Sequence, residues 1–519
     1  MLTLTLVGCI ASSTMSMIDD DIQSALAEIE KLRTQNEQIV AANAALAAKV
    51  DQLEQRVVND GDWLTEQRSE EIRAIVSDVL SDSSTRDSLA ADGAVAGWDK
   101  TKGFFLASSD GNYLLRFRGD AQLRWEYNAR DIGAASAASG SPSNSTEPKE
   151  WGFENRRVNI VFEGNVIDPS WQYQISLVAG RFAVDGNNVA LNDCFIEKDL
   201  GSGFKLRAGQ FKGPFLREES VSHTAQLAID ASLMSEFFGI VRNQGLQLTW
   251  SDEKFRVHAF YGDELRARGV DVYSRNSDGD LVPFNAGPAG TVPTAQNTTF
   301  TQDQSDYAFS GRMEWMPSGQ WKQFKDFSSY RGESVGVLFG VGAYAQQLDA
   351  VSNTDGATPN TMWSATADVS FEFGGATLFA AGIVREVDLQ EAQPTRDGGS
   401  AESLSQWGTV IQGSVFVSDD VEVYTRYELG NSDTDRYRVS ANSLLANGED
   451  INLLTLGLNW WPNGPSNQQI KITTDVGYSF DPLIDFAALG AGYLVDYTEA
   501  DGTSSNGQWV IRSQLQFLF

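Results

Sequence analysis

Gln508-Trp509-Val510-Ile511-Arg512-Ser513-Gln514-Leu515-Gln516-Phe517-Leu518-Phe519 ends the sequence on a stretch with two unlike faces. Trp509, Ile511, Ser513, Leu515, Phe517 and Phe519 fall on one side at period two, and Val510, Arg512, Gln514, Gln516 and Leu518 on the other. Successive side chains of a strand point to opposite sides, so the first side is apolar and the second mostly polar. That pattern, ending on an aromatic, suits the closing strand of an outer-membrane β-barrel, with lipid outside and water within.

Working back from the end, the same alternation recurs. Leu115, Phe117, Gly119, Ala121, Leu123, Trp125 and Tyr127 alternate with Arg116, Arg118, Asp120, Gln122, Arg124 and Glu126. A soluble sandwich has no use for six polar side chains in a row on an inner face. Further strands are expected at about 157–166, 171–180, 189–198, 204–211, 244–250, 255–262, 306–316 and 335–346. Others follow at 362–373, 376–385, 407–417, 421–429, 452–461, 469–478 and 508–519, about 16 antiparallel strands in all. Their connections alternate long and short, as in 128–156 against Asp168-Pro169-Ser170, or 212–243 against 251–254. Only the turn at 317–334 is longer than this rule predicts. Short turns at one end and long loops at the other describe an up-and-down barrel with both ends of its chain on the periplasmic side.

Composition agrees. Phe 28, Tyr 14, Trp 13 and Gly 47 accompany only 41% hydrophobic residues, with no apolar run near the roughly 20 residues of a spanning helix. An ordinary soluble β protein shares that bias, so composition does not decide between them. Lys and Arg number 39 against 70 Asp and Glu, a net charge of −31, which argues against nucleic acid as a partner. Two cysteines, Cys9 and Cys194, make no disulfide scaffold, and two histidines, His223 and His258, offer little to metal or triad chemistry. No cofactor or metal is expected, and no enzymatic activity.

Four regions are expected: 1–20 for export, 21–60 a periplasmic coiled coil, 61–102 a helical segment and linker, and 103–519 the barrel. Leu6-Val7-Gly8-Cys9 looks like a lipoprotein box, and a signal sequence starting further upstream is the other reading. From Ile22 to Val57 apolar residues hold heptad a and d positions over five heptads, a helix of about 55 Å. Asn36 and Asn43 at a positions fix register, so the helix is expected to meet copies of itself.

Several segments resemble the phosphate-selective porin family of O and P type. They are Gly103-Phe104-Phe105-Leu106, Ser109-Asp110-Gly111, Phe153-Glu154-Asn155-Arg156-Arg157 and Leu456-Gly457-Leu458-Asn459-Trp460-Trp461. The most specific is Arg207-Ala208-Gly209-Gln210-Phe211-Lys212-Gly213-Pro214-Phe215, followed by Glu218 and Ser220. The resemblance implies a 16-stranded homotrimer whose third long loop folds inward and whose basic side chains attract anions. That loop, Lys212 to Asn243, carries Lys212, Arg217 and Arg242 together with the acids Glu218, Glu219, Asp230 and Glu236, so the family's full basic ladder is not evident.

A pore works by its field, because charges in a low-dielectric tube act on ions with little screening. Closure of the last strand on the first would set Arg512 beside Arg116, Arg118 and Arg124, with Arg157 on the next strand and Lys205 and Arg207 further round. This basic stripe either guides anions, with the loop acids facing it across the eyelet, or pairs with inward carboxylates to stiffen a wet wall. Phe339-Gly340-Val341-Gly342-Ala343-Tyr344 lacks the third glycine of a nucleotide fingerprint, and Asn276–Asp280 and Asp433–Asp435 lack full Ca²⁺-loop spacing. The expectation is a passive outer-membrane porin for small hydrophilic solutes with a phosphate-like anion preference. The rival is a structural envelope protein whose barrel anchors a coiled-coil tether in contact with the cell wall.

Overall fold

The computed structural model describes residues 94–99, 103–130, 148–179, 189–240, 242–263, 273–275, 281–283, 305–348, 361–394, 400–433, 450–465, 468–481, 483, 491–494 and 507–519. The heptad segment 22–57, the helical stretch after it and the Asn276–Asp280 loop lie outside them.

A short arm comes first, β1 (Val95–Asp99) and β2 (Gly103–Ala107). The barrel follows with β3 (Leu114–Arg130), β4 (Lys149–Asn165), β5 (Trp171–Ala179), β6 (Val189–Gly201), β7 (Phe204–Lys212), β8 (Arg242–Ser251) and β9 (Phe255–Gly262). A small hairpin, β10 (Tyr273–Arg275) and β11 (Leu281–Pro283), stands apart from the sheet. The barrel resumes with β12 (Ser305–Ser318), β13 (Gly336–Leu348), β14 (Thr361–Glu372), β15 (Ala376–Pro394) and β16 (Ser400–Phe416). It ends with β17 (Val421–Asn431), β18 (Asp450–Trp460), β19 (Ile470–Ser479) and β20 (Gln508–Leu518).

Sixteen of these described strands pair each with the next, and β20 closes on β3 from Gln508↔Arg130 to Leu518↔Asp120. Phe519 extends the seam by exchanging backbone bonds of 2.8 and 2.9 Å with Gly119. Beyond that point β2 takes over the same edge of β3, from Phe104↔Phe117 to Ala107↔Leu114. Gly103–Ala107 is therefore an arm that covers an otherwise open edge, and the barrel's own first strand starts at Leu114. Covering an edge in this way removes unpaired backbone groups that water cannot reach in a membrane.

Side-chain alternation sorts as the pattern requires. Leu123, Ile175, Leu246, Met313, Val341, Ile411, Leu456 and Leu515 face outward and are exposed, while Gln122, Arg124, Arg312, Gln412, Asn459 and Gln514 face inward and are buried. No described helix is long and apolar enough to cross a membrane; the spanning elements are strands. The short connections are tight. Ser202 and Gly203, with φ of 53° and 84°, make a two-residue hairpin between β6 and β7, and Gly374 and Gly375 carry positive φ between β14 and β15.

The long turn between β12 and β13 folds inside the barrel. Phe324 packs with Met316 and Leu338, and Phe327 reaches Phe379 of the wall at 5.0 Å between rings. Asp326 lies in this turn, where burial pushes its carboxyl up to about 7; the Ser328 N–H pulls it down and Glu333 and Glu422 push it further up. The folded chain thus keeps a proton between the usual 3.8 and about 7 that the unfolded chain gives up. This contribution to stability is complete below pH 3.8 and is lost as pH rises through about 7. Replacing Asp326 by Asn removes that slope. Thermal unfolding in detergent at pH 5 and pH 8 should separate wild type from variant by roughly 2–4 °C more at pH 8.

Candidate functional site: the lumen and its inner loop

The third long loop, described over residues 213–240, enters the lumen, as the family resemblance implied. Three short helical turns give it shape: α1 (Arg217–Ser220), a 3₁₀ turn at His223–Ala225, and α2 (Leu233–Phe238). Ser222 and Ser232 cap the second and third, each accepting from a backbone N–H two or three residues on.

Irregular backbone inside a barrel needs partners for its carbonyls, because little water reaches them. Among the described residues, strands other than the two that flank the loop supply seven. Arg312 donates to Phe215 (3.1 Å), Gln122 to His223 (3.4 Å), Gln516 to Thr224 (2.9 Å) and Lys471 to Gln226 (2.8 Å). Asn459 donates to Leu227 (2.9 Å), Arg426 to Asp230 (2.9 Å) and Arg385 to Phe237 (3.2 Å). These donors come from β12, β3, β20, β19, β18, β17 and β15, so most of the circumference holds the loop.

One acid of the loop is gripped by three arginines. Asp230 lies 2.8 Å from Arg124, 3.2 Å from Arg156 and 3.0 Å from Arg157. Burial alone would raise its carboxyl, but the guanidiniums outweigh it and hold the group well below the usual carboxylate range. Two consecutive arginines reach the same partner because β4 carries a bulge. Gln122 pairs with Arg157 but Leu123 pairs with Asn155, leaving Arg156 as the extra residue. Strict period two assigns Arg156 to the lipid side; the bulge turns it into the lumen, where it is 1% exposed. A residue so placed has no signal in alternation alone.

The loop also brings a dry core into the lumen. Phe215, Leu233, Met234, Phe237, Phe238 and Ile240 pack against Tyr344, Met362, Ile383, Val387, Leu404, Ile451, Leu453 and Val510 of the wall. Glycines on the inner face make the seat. A Cβ on Gly408 would lie 2.5 Å from Met234 Sδ and 2.8 Å from the Phe238 ring, and one on Gly430 2.7 Å from the same sulfur. Gly340 and Gly342, the two glycines of the incomplete nucleotide fingerprint, act similarly. They leave room for the Arg312 guanidinium and the Phe215 carbonyl.

The sequence-derived site residues therefore divide. Arg124 and Arg512 are buried and paired, Arg512 to Asp475 through two bonds of 2.7 and 2.9 Å. Arg217 is 4% exposed and spends its donors on Ser220 and the Phe324 carbonyl. Arg157 is held by Asp230, Arg242 by Asp193 at 2.9 Å, and Lys212 donates to the Glu219 carbonyl at 3.1 Å. The loop acids do not face the arginines across a gap. Asp230 touches them, Glu218 binds Ser232 N at 3.0 Å and lies 3.6 Å from Arg426, and Glu219 accepts from Ile240 N at 3.3 Å. Glu236 sits in α2, its N–H bonded to the Ser232 carbonyl.

Arg116, Arg118, Lys205 and Arg207 stand at the short-turn end, below the loop, with Arg256 beside them on β9. In four pairs here the cation is more exposed than its acid, while Lys198 and Arg331 at the same short turns are less exposed, at 27% and 47%, than Asp168 and Asp419, at 44% and 92%. Side-chain exposure is 44% for Arg118 against 26% for Glu163, 38% for Lys205 and 29% for Arg207 against 10% for Glu197, and 32% for Arg256 against 5% for Glu314. Aromatic faces steady two of them: Arg207 lies 4.1 Å over Phe195 and Arg256 4.0 Å over Trp321.

The phosphate-selective porin O and P family matches residues 134–476. The chain belongs to this family. Its barrel is a porin barrel of the outer membrane, and its inner surface is where solutes would meet it. The curated proteins give no match. Among solved structures, the anion-selective porin from Comamonas acidovorans is 13% identical over 78% of this chain and 99% of its own, with a TM-score of 0.44. The outer membrane channel DcaP of Acinetobacter baumannii is 12% identical over 80% and 99%, TM-score 0.45. Pseudomonas putida OprB is 9% identical over 78% and 94%, TM-score 0.44. His258, inward on β9 of this porin barrel, meets Thr249 at 2.9 Å, and His223 of the inner loop meets Asp120 at 2.8 Å.

Proposed function

We propose that this porin conducts small hydrophilic solutes passively and prefers anions, phosphate-like ones among them. The exposure asymmetry of four wall pairs at the short-turn end carries the reading. Arg118, Lys205, Arg207 and Arg256 meet water while their carboxylate partners lie behind them, so an ion entering there feels a positive surface. Arg116 adds to it from the start of β3. The buried arginines have a different task, which is to fix the inner loop and so the width of the passage. The short-turn end is the periplasmic one in this proposal, and the heptads at Ile22–Val57 form a three-stranded periplasmic stalk under a homotrimer.

The test is reversal potential in a KCl gradient across a planar bilayer. Wild type should favour chloride. A Lys205→Glu, Arg207→Glu double variant should lower the anion-to-cation permeability ratio by about 3–10-fold, because it reverses two exposed charges of the tube. Cation preference in wild type, or a ratio indifferent to the reversal, defeats the anion reading. Absence of any channel defeats the porin reading itself.

A further inference from the structure

At the other end of the lumen the chemistry is inverted. Between the long-loop ends of β3 and β4 lies a cavity of about 230 Å³, lined by Glu126, Asn128, Glu150 and Glu154 and closed by Gly492 and Tyr493. Register explains the grouping: Asn128 faces Glu150, Glu126 faces Gly152, and Glu154 faces Arg124 across the pair. Among the described residues every charged group lining the cavity is a carboxylate, and no Lys, Arg or His lines it. Arg124 touches Glu126 at 3.0 Å and Glu154 at 3.6 Å, and it shares Asp230 with Arg156 and Arg157, so Glu150 is the lining carboxylate farthest along the strand from these arginines.

Asn128 gives the independent observation. It is 5% exposed, and its Nδ2 donates to the Gly492 carbonyl at 3.1 Å and to Gln508 Oε1 at 2.7 Å. Those two acceptors fix which way the amide points, and its Oδ1 is left without a hydrogen-bond partner. One oxygen of Glu150 is in the same condition. A buried acceptor without a donor is costly, and a donor-bearing ligand removes the cost. Among the described residues no three carboxylate, His or Cys side chains are grouped closely enough for a metal ion. A ligand here must bring several N–H donors and positive charge on an extended head.

We infer that the long-loop mouth of the lumen holds a binding site for an organic cation, through the primary ammonium or guanidinium group of a small solute. Glu150 supplies charge and a free acceptor, Asn128 Oδ1 a second acceptor, and Glu126 and Glu154 the surrounding field. The site's part in transport rests on the porin reading; its binding does not.

Agmatine, which carries both groups, is the probe. Calorimetric titration of the full-length protein in detergent at low ionic strength should show binding. Glu150→Gln should weaken it by about ten-fold, since a charge-assisted partner is lost while shape is kept. Glu150→Lys should abolish it by placing an ammonium in the cavity. Heat-modifiable migration on gels reports whether each variant keeps its barrel, and KCl conductance is recorded on the same preparations. Conductance without agmatine binding, or equal binding to wild type and Glu150→Lys, overturns the site and spares the porin. Agmatine binding that Glu150→Lys abolishes, without conductance, keeps the site and sinks the porin.

Discussion

Asp230→Ala should raise single-channel conductance several-fold while leaving the barrel assembled. The carboxylate is the shared counter-ion of Arg124, Arg156 and Arg157, at 2.8, 3.2 and 3.0 Å. Removing one partner from a buried ion group typically costs about 3–5 kcal/mol, because the charges left behind are desolvated and unpaired. Here Arg156 and Arg157 would lose this carboxylate, while Arg124 keeps Glu126 at 3.0 Å and Glu154 at 3.6 Å. The cheapest way to admit water is for the loop around residue 230 to leave the wall, since the strand ladder is untouched. That movement widens the passage. Planar-bilayer recording in KCl reads the conductance, and heat-modifiable migration reads the barrel. Asp230→Asn should act in the same direction with a smaller step, because an amide still accepts one hydrogen bond. Unchanged conductance in both variants would show that this contact does not set the width.

Phe237→Ala with Phe238→Ala should loosen the same loop from its apolar side. Both rings are buried, 1% and 0% exposed, and Phe238 sits against Gly408 of the wall. Truncating one buried Phe costs about 3–5 kcal/mol in transfer and cavity terms, far more than a six-residue helix gains from its own bonds. α2 should therefore leave its seat, while Asp230 keeps its arginines. The expected record is a larger, noisier current. A cysteine placed at Ser235, 3% exposed in the intact protein, should become reactive to a maleimide in the double variant and stay protected without it, in a background lacking Cys9 and Cys194. Protection in both would place the loop's anchorage elsewhere. The two experiments probe different forces, one electrostatic and one apolar, on a single element.

The balance between those forces explains why so many inward arginines do not look into open water. Arg312, Arg385 and Arg426 each bond a loop carbonyl. A loop threaded through a barrel brings its unpaired carbonyls with it, and long donors from the wall satisfy them better than scarce water does. On the proposed anion-preferring reading, the guiding task would fall to the more exposed Arg118, Lys205 and Arg207 at the short-turn end.

The order of strands, the turn between each pair and the inward or outward choice for nearly every strand residue were legible in the sequence. Period two and the rhythm of long and short connections are local properties. A lipid outer face enforces them on each strand separately, so strands as short as Phe255–Gly262 can be read alone. The inner loop's entry into the lumen was legible only through the resemblance around Arg207–Phe215. Three things were decided by the tertiary structure alone: the bulge that turns Arg156 inward, the dry seat formed by Gly408, Gly430 and their apolar neighbours, and the pairing of each wall arginine. Each depends on contacts with other strands or with the inner loop, which alternation along a single strand does not encode. Alternation records which side a residue faces, and only closure of the cylinder supplies what it faces.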